Sequence, residues 1–139
     1  MTPVTLFPTC AEVNDTTYSA CILLVDDQPD LLTNLSLALE VAGYTPLTAR
    51  NGLEAIGVLQ TQPVDLILSD IEMPNMNGYQ LYQQVRENPA WSTIPFLFLT
   101  IHTPDSSIKL GTDLTTSDYL IKPIRLINLL NVVRNKLTH

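Results

Sequence analysis

The chain has 139 residues, 45% of them hydrophobic, and a formal net charge of −7 at pH 7. This length and hydrophobic content favour a single domain with one core. The acidic charge argues against direct nucleic-acid binding, which needs clustered Lys and Arg side chains. No apolar run approaches the roughly 18 residues of a membrane span, and no secretory signal is evident. We therefore expect a cytoplasmic protein that does not enter a membrane.

The chain opens with a stretch rich in Thr and Pro that shows no clear periodicity, and we expect residues 1–20 to form a flexible leader. The folded domain is predicted over residues 21–138. Its first element, residues 21–25, is a continuous apolar run that ends in Asp26 and Asp27. A run without alternation predicts a strand covered on both faces, as in a parallel sheet.

A helix, a second strand and a second helix are predicted next. Pro29 lies near the first turn of the first helix, and Gly43 ends that helix. Its apolar stripe consists of Leu31, Leu32, Leu35, Ala38, Leu39 and Ala42. A weaker strand over residues 45–49 follows. Asn51 can cap a helix over residues 52–62, whose inner face is predicted to consist of Leu53, Ile56 and Leu59.

Residues 66–74 predict a short buried strand followed by a stiff turn. The strand runs directly into Asp70, and Pro74 prevents its regular continuation. A loop then follows, because the next residues include Asn75, Asn77 and Gly78. The sequence therefore places a carboxylate at the end of a buried strand and holds it on a turn.

The rest of the chain predicts two more strands and three more helices. A helix is predicted over residues 78–87, with Leu81, Tyr82 and Val85 facing inward. A buried strand over 95–99 ends at Thr100, and a helix over 105–114 follows. A strand over 118–121 then ends at Lys122, and the last helix is predicted over 124–137. The order is βα repeated five times, which predicts right-handed crossovers and a parallel sheet with helices on both faces. The expected fold class is α/β, a flavodoxin-like doubly wound five-stranded sheet with strand order 2-1-3-4-5.

Polar residues follow several strands of this sheet, and parallel strands place their carboxyl ends at one edge. The expected strand order brings Asp26, Asp27 and Asp70 within a few ångströms of one another. Three such carboxylates repel, so either one is protonated or a cation lies among them. Because all the candidate ligand atoms are oxygens, the cation should be a hard one: Mg2+, or else Mn2+ or Ca2+.

The same edge supplies a positive charge from Lys122 and a hydroxyl from Thr100. A metal, a lysine and a hydroxyl around one carboxylate suit phosphoryl transfer onto that carboxylate, because the cations neutralise the charge on the transferred oxygens. Asp70 is the predicted nucleophile, and it forms an acyl phosphate.

These residues resemble the signature of bacterial two-component response-regulator receiver domains, and the resemblance covers residues 21–137. The matching motifs are Val25-Asp26-Asp27, Ser69-Asp70-Ile71-Glu72-Met73-Pro74 with Gly78, Leu99-Thr100, and Tyr119-Leu120-Ile121-Lys122-Pro123. The resemblance implies that Asp70 accepts a phosphoryl group from a histidine of a sensor histidine kinase or a histidine phosphotransfer protein. It also implies a Mg2+ site formed by Asp27, Asp70 and the backbone carbonyl of Glu72, with Asp26 acting mainly through a bound water.

Further roles follow from the same resemblance. Thr100 and Lys122 are expected to contact the phosphoryl oxygens. Tyr119 is the expected aromatic switch, which moves inward when Thr100 is drawn to the phosphate. The Lys122–Pro123 peptide bond is expected to be cis, which proline permits at low cost. Such a protein is not a conventional enzyme, because it catalyses only its own phosphorylation and dephosphorylation.

The sequence departs from the family pattern near the predicted fourth helix. Ile101 stands where a very small residue is usual, Thr115-Thr116 replace a Gly-Ala pair, and residues 102–114 match only loosely. Ile101 either points at the phosphorylation site and restricts access to it, or turns into the groove under the fourth helix.

Other functions compete with that of a phosphorylated receiver. A pseudo-receiver that is never phosphorylated and acts only as an interaction module stays open because of Ile101 and Thr115. A haloacid-dehalogenase-type phosphatase needs a second Asp where this chain has Glu72, and a flavodoxin or P-loop phosphate loop is missing. The last helix carries more apolar residues than one face can hold. This excess indicates either a wide contact with the core or a partner or homodimer surface on the fourth helix, fifth strand and last helix.

Overall fold

The computed structural model describes residues 19–101 and 118–138. This part of the chain contains five strands and four helices: β1 Cys21–Val25, α1 Pro29–Val41, β2 Thr45–Ala49, α2 Gly52–Thr61, β3 Leu66–Asp70, α3 Gly78–Glu87, β4 Phe96–Thr100, β5 Tyr119–Ile121 and α4 Leu126–Leu137. The helix predicted over 105–114, and the predicted leader except Ser19 and Ala20, lie outside the described residues. The label α4 therefore denotes the last helix of the chain.

The strands form one parallel sheet in the order β2-β1-β3-β4-β5, as predicted. β1 and β3 are neighbours, with Val25 opposite Ser69, so the residues that follow β1 lie beside the end of β3. β4 continues this edge, because Asp70 lies opposite Leu99. β5 completes it, with Thr100 opposite Ile121. The predicted flavodoxin-like, doubly wound fold is confirmed.

Every residue of β1, β3 and β4 is buried, which explains why these strands are apolar without alternation. Successive side chains point to opposite faces of the sheet. One face places Leu23, Ile67 and Phe98 against residues of α2 and α3. The other face places Leu24, Leu68 and Leu99 against residues of α1 and α4. Helices therefore cover both faces, and the hydrophobic strands hold the site's edge in place.

The ends of the helices follow the predicted signals. Gly43 has a φ of 97° immediately after α1, a left-handed conformation that glycine adopts without strain. The Asn51 side chain accepts a hydrogen bond from the Glu54 N–H at 2.9 Å and caps α2. Asn77 and Gln80 form a reciprocal capping box at the start of α3. This last cap fixes the helix that follows the Asp70 loop.

The predicted inner face of α2 is wrong in one place. Leu53 is 61% exposed, whereas Gly52, Ala55 and Leu59 are the buried residues of this helix. The reason is the close approach of Met76, whose Sδ atom would lie 2.6 Å from a Cβ added to Gly52. The side of α2 that contains Gly52 faces Met76, and Leu53 therefore points outward. In α1 the predicted stripe is correct at Leu32, Leu35 and Leu39, but Ala42 lies beyond the helix and is exposed.

Among the helices in the described ranges, none combines the length and apolar character that crossing a membrane requires.

Candidate functional site

The carboxyl ends of four neighbouring strands meet in an open pocket at one edge of the sheet. Its lining consists of Asp27, Gln28, Asp70, Glu72, Thr100, Ile101 and Lys122. Asp27 and Gln28 follow β1, Asp70 ends β3, Thr100 ends β4, and Lys122 follows β5. The parallel topology therefore assembles side chains that lie far apart in the sequence, at the place where open α/β sheets bind ligands.

Three carboxylates dominate this pocket. Asp26, Asp27 and Asp70 each offer an oxygen, and these oxygens lie within 4.8 Å of one another. Asp26 is 1% exposed and Asp70 8% exposed, whereas Asp27 faces solvent. Crowded carboxylates in a partly buried place need a compensating positive charge. Their oxygen atoms are the ligands that hard divalent cations prefer.

Lys122 supplies an internal positive charge. Its Nζ lies 2.9 Å from Asp26 Oδ2 and 3.6 Å from Asp70 Oδ1. Asp26 is held from its other oxygen as well, because Oδ1 accepts the Gln28 N–H at 2.9 Å. Both oxygens of Asp26 are thus engaged by the protein, and Asp70 has the weaker contact with the lysine.

The environment of Asp70 acts on its carboxyl in two directions. Burial and the nearby charge of Asp26 raise the pKa of Asp70 above its ordinary value. Lys122 and the backbone N–H groups of Ile71 and Glu72 oppose this rise. The Glu72 N–H donates to Asp70 Oδ1 across a long 3.4 Å contact. Because desolvation outweighs these stabilising contacts, a further cation beside Asp70 would favour its ionised form.

The loop after β3 is pressed against the backbone of Asp70. Gly78 donates its N–H to the Ile71 carbonyl at 2.8 Å. A Cβ on Gly78 would lie 2.3 Å from the Asp70 carbonyl oxygen, so no other residue fits without moving the chain. Asn75 takes a φ of 71° within the same loop, which Asn tolerates better than most residues. The sequence predicts Gly78 as a loop residue at the start of a helix, and the structure shows that α3 touches the backbone of Asp70 at this residue.

The remaining predicted residues lie at or beside the pocket. Ile101 lines it and is 64% exposed. The Lys122–Pro123 peptide bond is cis. Tyr119 is half-buried on β5 and is not part of the pocket lining. Its ring stacks on Phe98 with the centroids 5.3 Å apart.

Two residues of this region were not predicted from the sequence. Gln28 lines the pocket and donates its N–H to Asp26, and its position directly after the two acids was the signal available. Tyr79 was also missed. Its hydroxyl lies 3.1 Å from the Tyr119 hydroxyl, although the two residues are far apart in sequence.

Comparisons with known proteins point to one family. A family model described as the response regulator receiver domain matches residues 22–134. Protein PilH of Pseudomonas aeruginosa is 33% identical over 105 residues, which cover 76% of this chain and 87% of that protein. The solved structure of the chemotaxis response regulator CheY4 of Vibrio cholerae superposes with a TM-score of 0.79 at 32% identity. It covers 86% of this chain and 99% of that chain.

A longer relative matches only in part. A probable cyclic di-GMP phosphodiesterase of Vibrio cholerae is 40% identical over 103 residues. The match covers 74% of this chain but 23% of that protein, so the chain corresponds to less than a quarter of its length.

Receiver domains are signalling modules rather than conventional enzymes, bind Mg2+ at an acidic pocket, and interact with sensor kinases. Because the family match extends through nearly all of the folded chain, and the relatives and solved structures agree with it, this protein belongs to the family of response regulator receiver domains.

Proposed function

We propose that this chain is a phosphoacceptor in a two-component phosphorelay, and that Asp70 is its single phosphorylation site. The donor is the phosphohistidine of a sensor histidine kinase or of a histidine phosphotransfer protein. The observation that carries the proposal is the position of the Asp70 carboxylate, which ends a buried strand between two other acids and Lys122. A nucleophile in such a place has neighbours that can neutralise a transferred phosphoryl group.

The transfer is a substitution at phosphorus. A carboxylate oxygen of Asp70 forms the new P–O bond, and the P–N bond of the phosphohistidine breaks. The electron pair of that bond returns to the imidazole nitrogen of the donor, which then takes up a proton from water. The product is an aspartyl phosphate, and Asp70 must be ionised when it attacks.

The acid set fits Mg2+, with Mn2+ as an alternative, because it offers several carboxylate oxygens at close range. Asp27, Asp70 and the backbone carbonyl of Glu72 would hold the ion, which when bound neutralises charge on the phosphoryl oxygens. Asp26 would act through a bound water. This indirect role is supported by the two contacts that already occupy the oxygens of Asp26, from Gln28 and Lys122.

Thr100 and Lys122 are the proposed contacts to the phosphoryl oxygens. Thr100 is 7% exposed and lines the same pocket as Asp70. Lys122 needs only a small shift from Asp26 to follow a new negative charge at Asp70, because its Nζ is already near both carboxylates. Tyr119 is the proposed switch residue on the neighbouring strand.

The decisive experiment is phosphoryl uptake from acetyl phosphate in the presence of Mg2+, followed by intact-mass measurement. We expect one adduct of one phosphoryl group on the natural protein and none on Asp70→Asn. Asp65→Asn is a matched control, because this acid lies at the opposite end of β3 and its Oδ2 accepts the Cys21 N–H. An equal adduct on Asp70→Asn would show that the assignment is wrong. Complete failure of the natural protein to load would instead favour the pseudo-receiver.

We also propose an output surface formed by the fourth predicted helix, β5 and α4. Three large apolar side chains of the described part are exposed there: Ile121 at 43%, Leu126 at 52% and Ile127 at 68%. Phosphorylation is expected to strengthen homodimerisation or partner contact through this surface. Sedimentation of the beryllofluoride-loaded protein at high concentration should show dimers, whereas Ile127→Ser should shift it towards monomer. A protein that stays monomeric under all conditions would remove the self-association part of the proposal.

We also propose that the folded domain spans residues 21–138, that the residues named above form its site, and that the protein is cytoplasmic.

A further inference from the structure

The aromatic side chains on one face of the sheet form a connected group between α3 and β5. Phe98 of β4 is fully buried at its centre. Tyr79 of α3 packs against Phe98 with the ring centroids 4.9 Å apart, and Tyr119 of β5 stacks on the same ring at 5.3 Å. Both tyrosine rings therefore pack on the same phenyl ring. Their hydroxyls meet at 3.1 Å in a partly buried place.

This hydroxyl pair connects two parts of the molecule that are otherwise linked through the sheet. Tyr79 directly follows Gly78, which touches the backbone of Asp70 and donates to the Ile71 carbonyl. Tyr119 begins β5, the strand that leads to Lys122. One end of the pair is thus anchored at the loop after Asp70, and the other at the strand that leads to the pocket's lysine.

The pair also lies on the same side of the sheet as Thr100. Phe98 and Thr100 are two residues apart on β4, so their side chains point to the same face. Tyr119 lies opposite Phe98 in the register of β4 and β5. A displacement of Tyr119 from Phe98 would therefore change the packing beside Thr100.

We propose that Tyr79 is a positioning residue for Tyr119: its hydroxyl holds the Tyr119 ring against Phe98 and ties the orientation of that ring to the loop after Asp70. The consequence for signalling rests on the proposed phosphoacceptor function. When the loop responds to a change at Asp70, Tyr79 moves with it and the Tyr119 ring follows. Without the Tyr79 hydroxyl, Tyr119 loses this hydrogen bond, and its ring samples other orientations.

The first test is a double-mutant cycle on the full chain with Tyr79→Phe, Tyr119→Phe and the double variant. Phenylalanine keeps the ring contacts and removes only the hydroxyls. Each single substitution should lower the folding equilibrium constant by some factor. If the hydroxyls interact, the factor for the double variant should be about fivefold smaller than the product of the two single factors, which is the size expected of a net hydrogen bond. Effects that simply multiply would overturn the proposal. Tyr82→Phe paired with Tyr119→Phe is the matched control, because Tyr82 packs on Phe98 at 5.8 Å in the same group, and this pair should show no comparable coupling.

The second test follows the Tyr119 ring directly by 19F NMR of protein that contains 3-fluorotyrosine, with the signal assigned through Tyr119→Phe. Tyr79→Phe should shift and broaden the Tyr119 signal, and Tyr82→Phe should disturb it far less. The response of that signal to beryllofluoride with Mg2+ should be smaller in Tyr79→Phe than in the natural protein. A Tyr119 signal that is identical in position, width and response in both proteins would overturn the proposal.

The two tests separate the positioning role from the function of the site. If the natural protein does not bind beryllofluoride, the phosphoacceptor function fails. The mutant cycle and the unloaded spectra still decide whether Tyr79 positions Tyr119.

Discussion

The pocket has two sides that are built differently. The acid side consists of Asp26, Asp27 and Asp70 at the ends of β1 and β3. These two strands lie inside the sheet, and all five residues of each strand are buried. The response side consists of Thr100 and Ile101, which line the pocket at the end of β4, and of Tyr119 on β5, which lies beside the pocket and not in its lining. β5 is an edge strand of three residues, none of them fully buried.

This difference separates chemistry from response. Groups that must hold a fixed geometry lie on strands with neighbours on both sides, where local opening is most costly. Tyr119, which is proposed to move, lies on a strand with one neighbour in the described sheet, and aromatic contacts and the Lys122 ion pairs hold that strand. Thr100 ends the buried strand β4, directly beside β5. Changes on the acid side should therefore act on stability and metal binding, and changes on the response side should act on rates.

The largest expected effect comes from Gly78→Ala, which attacks the support of the acid side. The added Cβ would meet the Asp70 carbonyl oxygen at 2.3 Å, and a backbone atom of this kind cannot move aside easily. We expect the free energy of unfolding to fall by about 1–3 kcal/mol, measured by urea denaturation. Gly57→Ala is the matched control, because nothing lies within 4 Å of the added atom in the same type of element. This helical substitution should raise stability by about 0.5–1 kcal/mol. Equal effects of the two alanines would show that the loop is not tightly packed on Asp70.

Asp27→Ala tests the metal site on the acid side. Asp27 is the exposed member of the acid set, so its removal leaves the buried neighbours in place. We expect the affinity for Mg2+ to fall at least about tenfold, since even residues behind the direct ligands contribute this much in metal sites. Titration calorimetry or NMR shifts can measure this loss. Asp30→Ala, in the first turn of α1, is a control for the general loss of one negative charge. Unchanged affinity in Asp27→Ala would refute its role as a ligand.

Ile101→Ala tests the border between the two sides, and the expected effect is a change of rate. Ile101 lines the pocket, and its side chain is largely exposed to solvent in the part of the chain that the structure describes. Its stiff branched side chain should hinder a water that approaches the acyl phosphate. We expect the phosphoryl group on Asp70 to be lost several-fold faster in Ile101→Ala, and loading from bulky donors to become faster too. Decay can be followed by intact mass after removal of the donor. A variant that loses its phosphate no faster than the parent would show that Ile101 does not restrict access.

The acid side could be predicted from the sequence because its determinants are local. Continuous apolar runs identify buried parallel strands, and the residue that follows each run must lie at the common edge. The positions of Asp26, Asp27 and Asp70 therefore followed once the strand order was assumed, and the same reasoning placed Thr100 and Lys122 at the same edge. The capped start of α2 was equally local, since Asn51 satisfies N–H groups a few residues away.

The details that escaped prediction depend on contacts between distant residues. The outward turn of Leu53 results from Met76 packing on Gly52, which no periodic pattern of α2 contains. The Tyr79–Tyr119 contact joins a helix to a strand across Phe98. The preference of Lys122 for Asp26 over Asp70 is a matter of less than one ångström, and spacing along the chain cannot resolve such a difference.

The Lys122–Asp26 ion pair has a consequence for the order in which the molecule is assembled. It joins residues 96 positions apart, and it bridges strands that are not neighbours in the sheet. Contacts of such long sequence separation form only after the intervening chain is in place. During synthesis, the N-terminal half emerges with its acids before the lysine exists to compensate them. The acidic pocket therefore gains these ion pairs only when β5 docks, so a nascent or truncated chain that lacks β5 carries Asp26 and Asp70 but not the positive charge of Lys122.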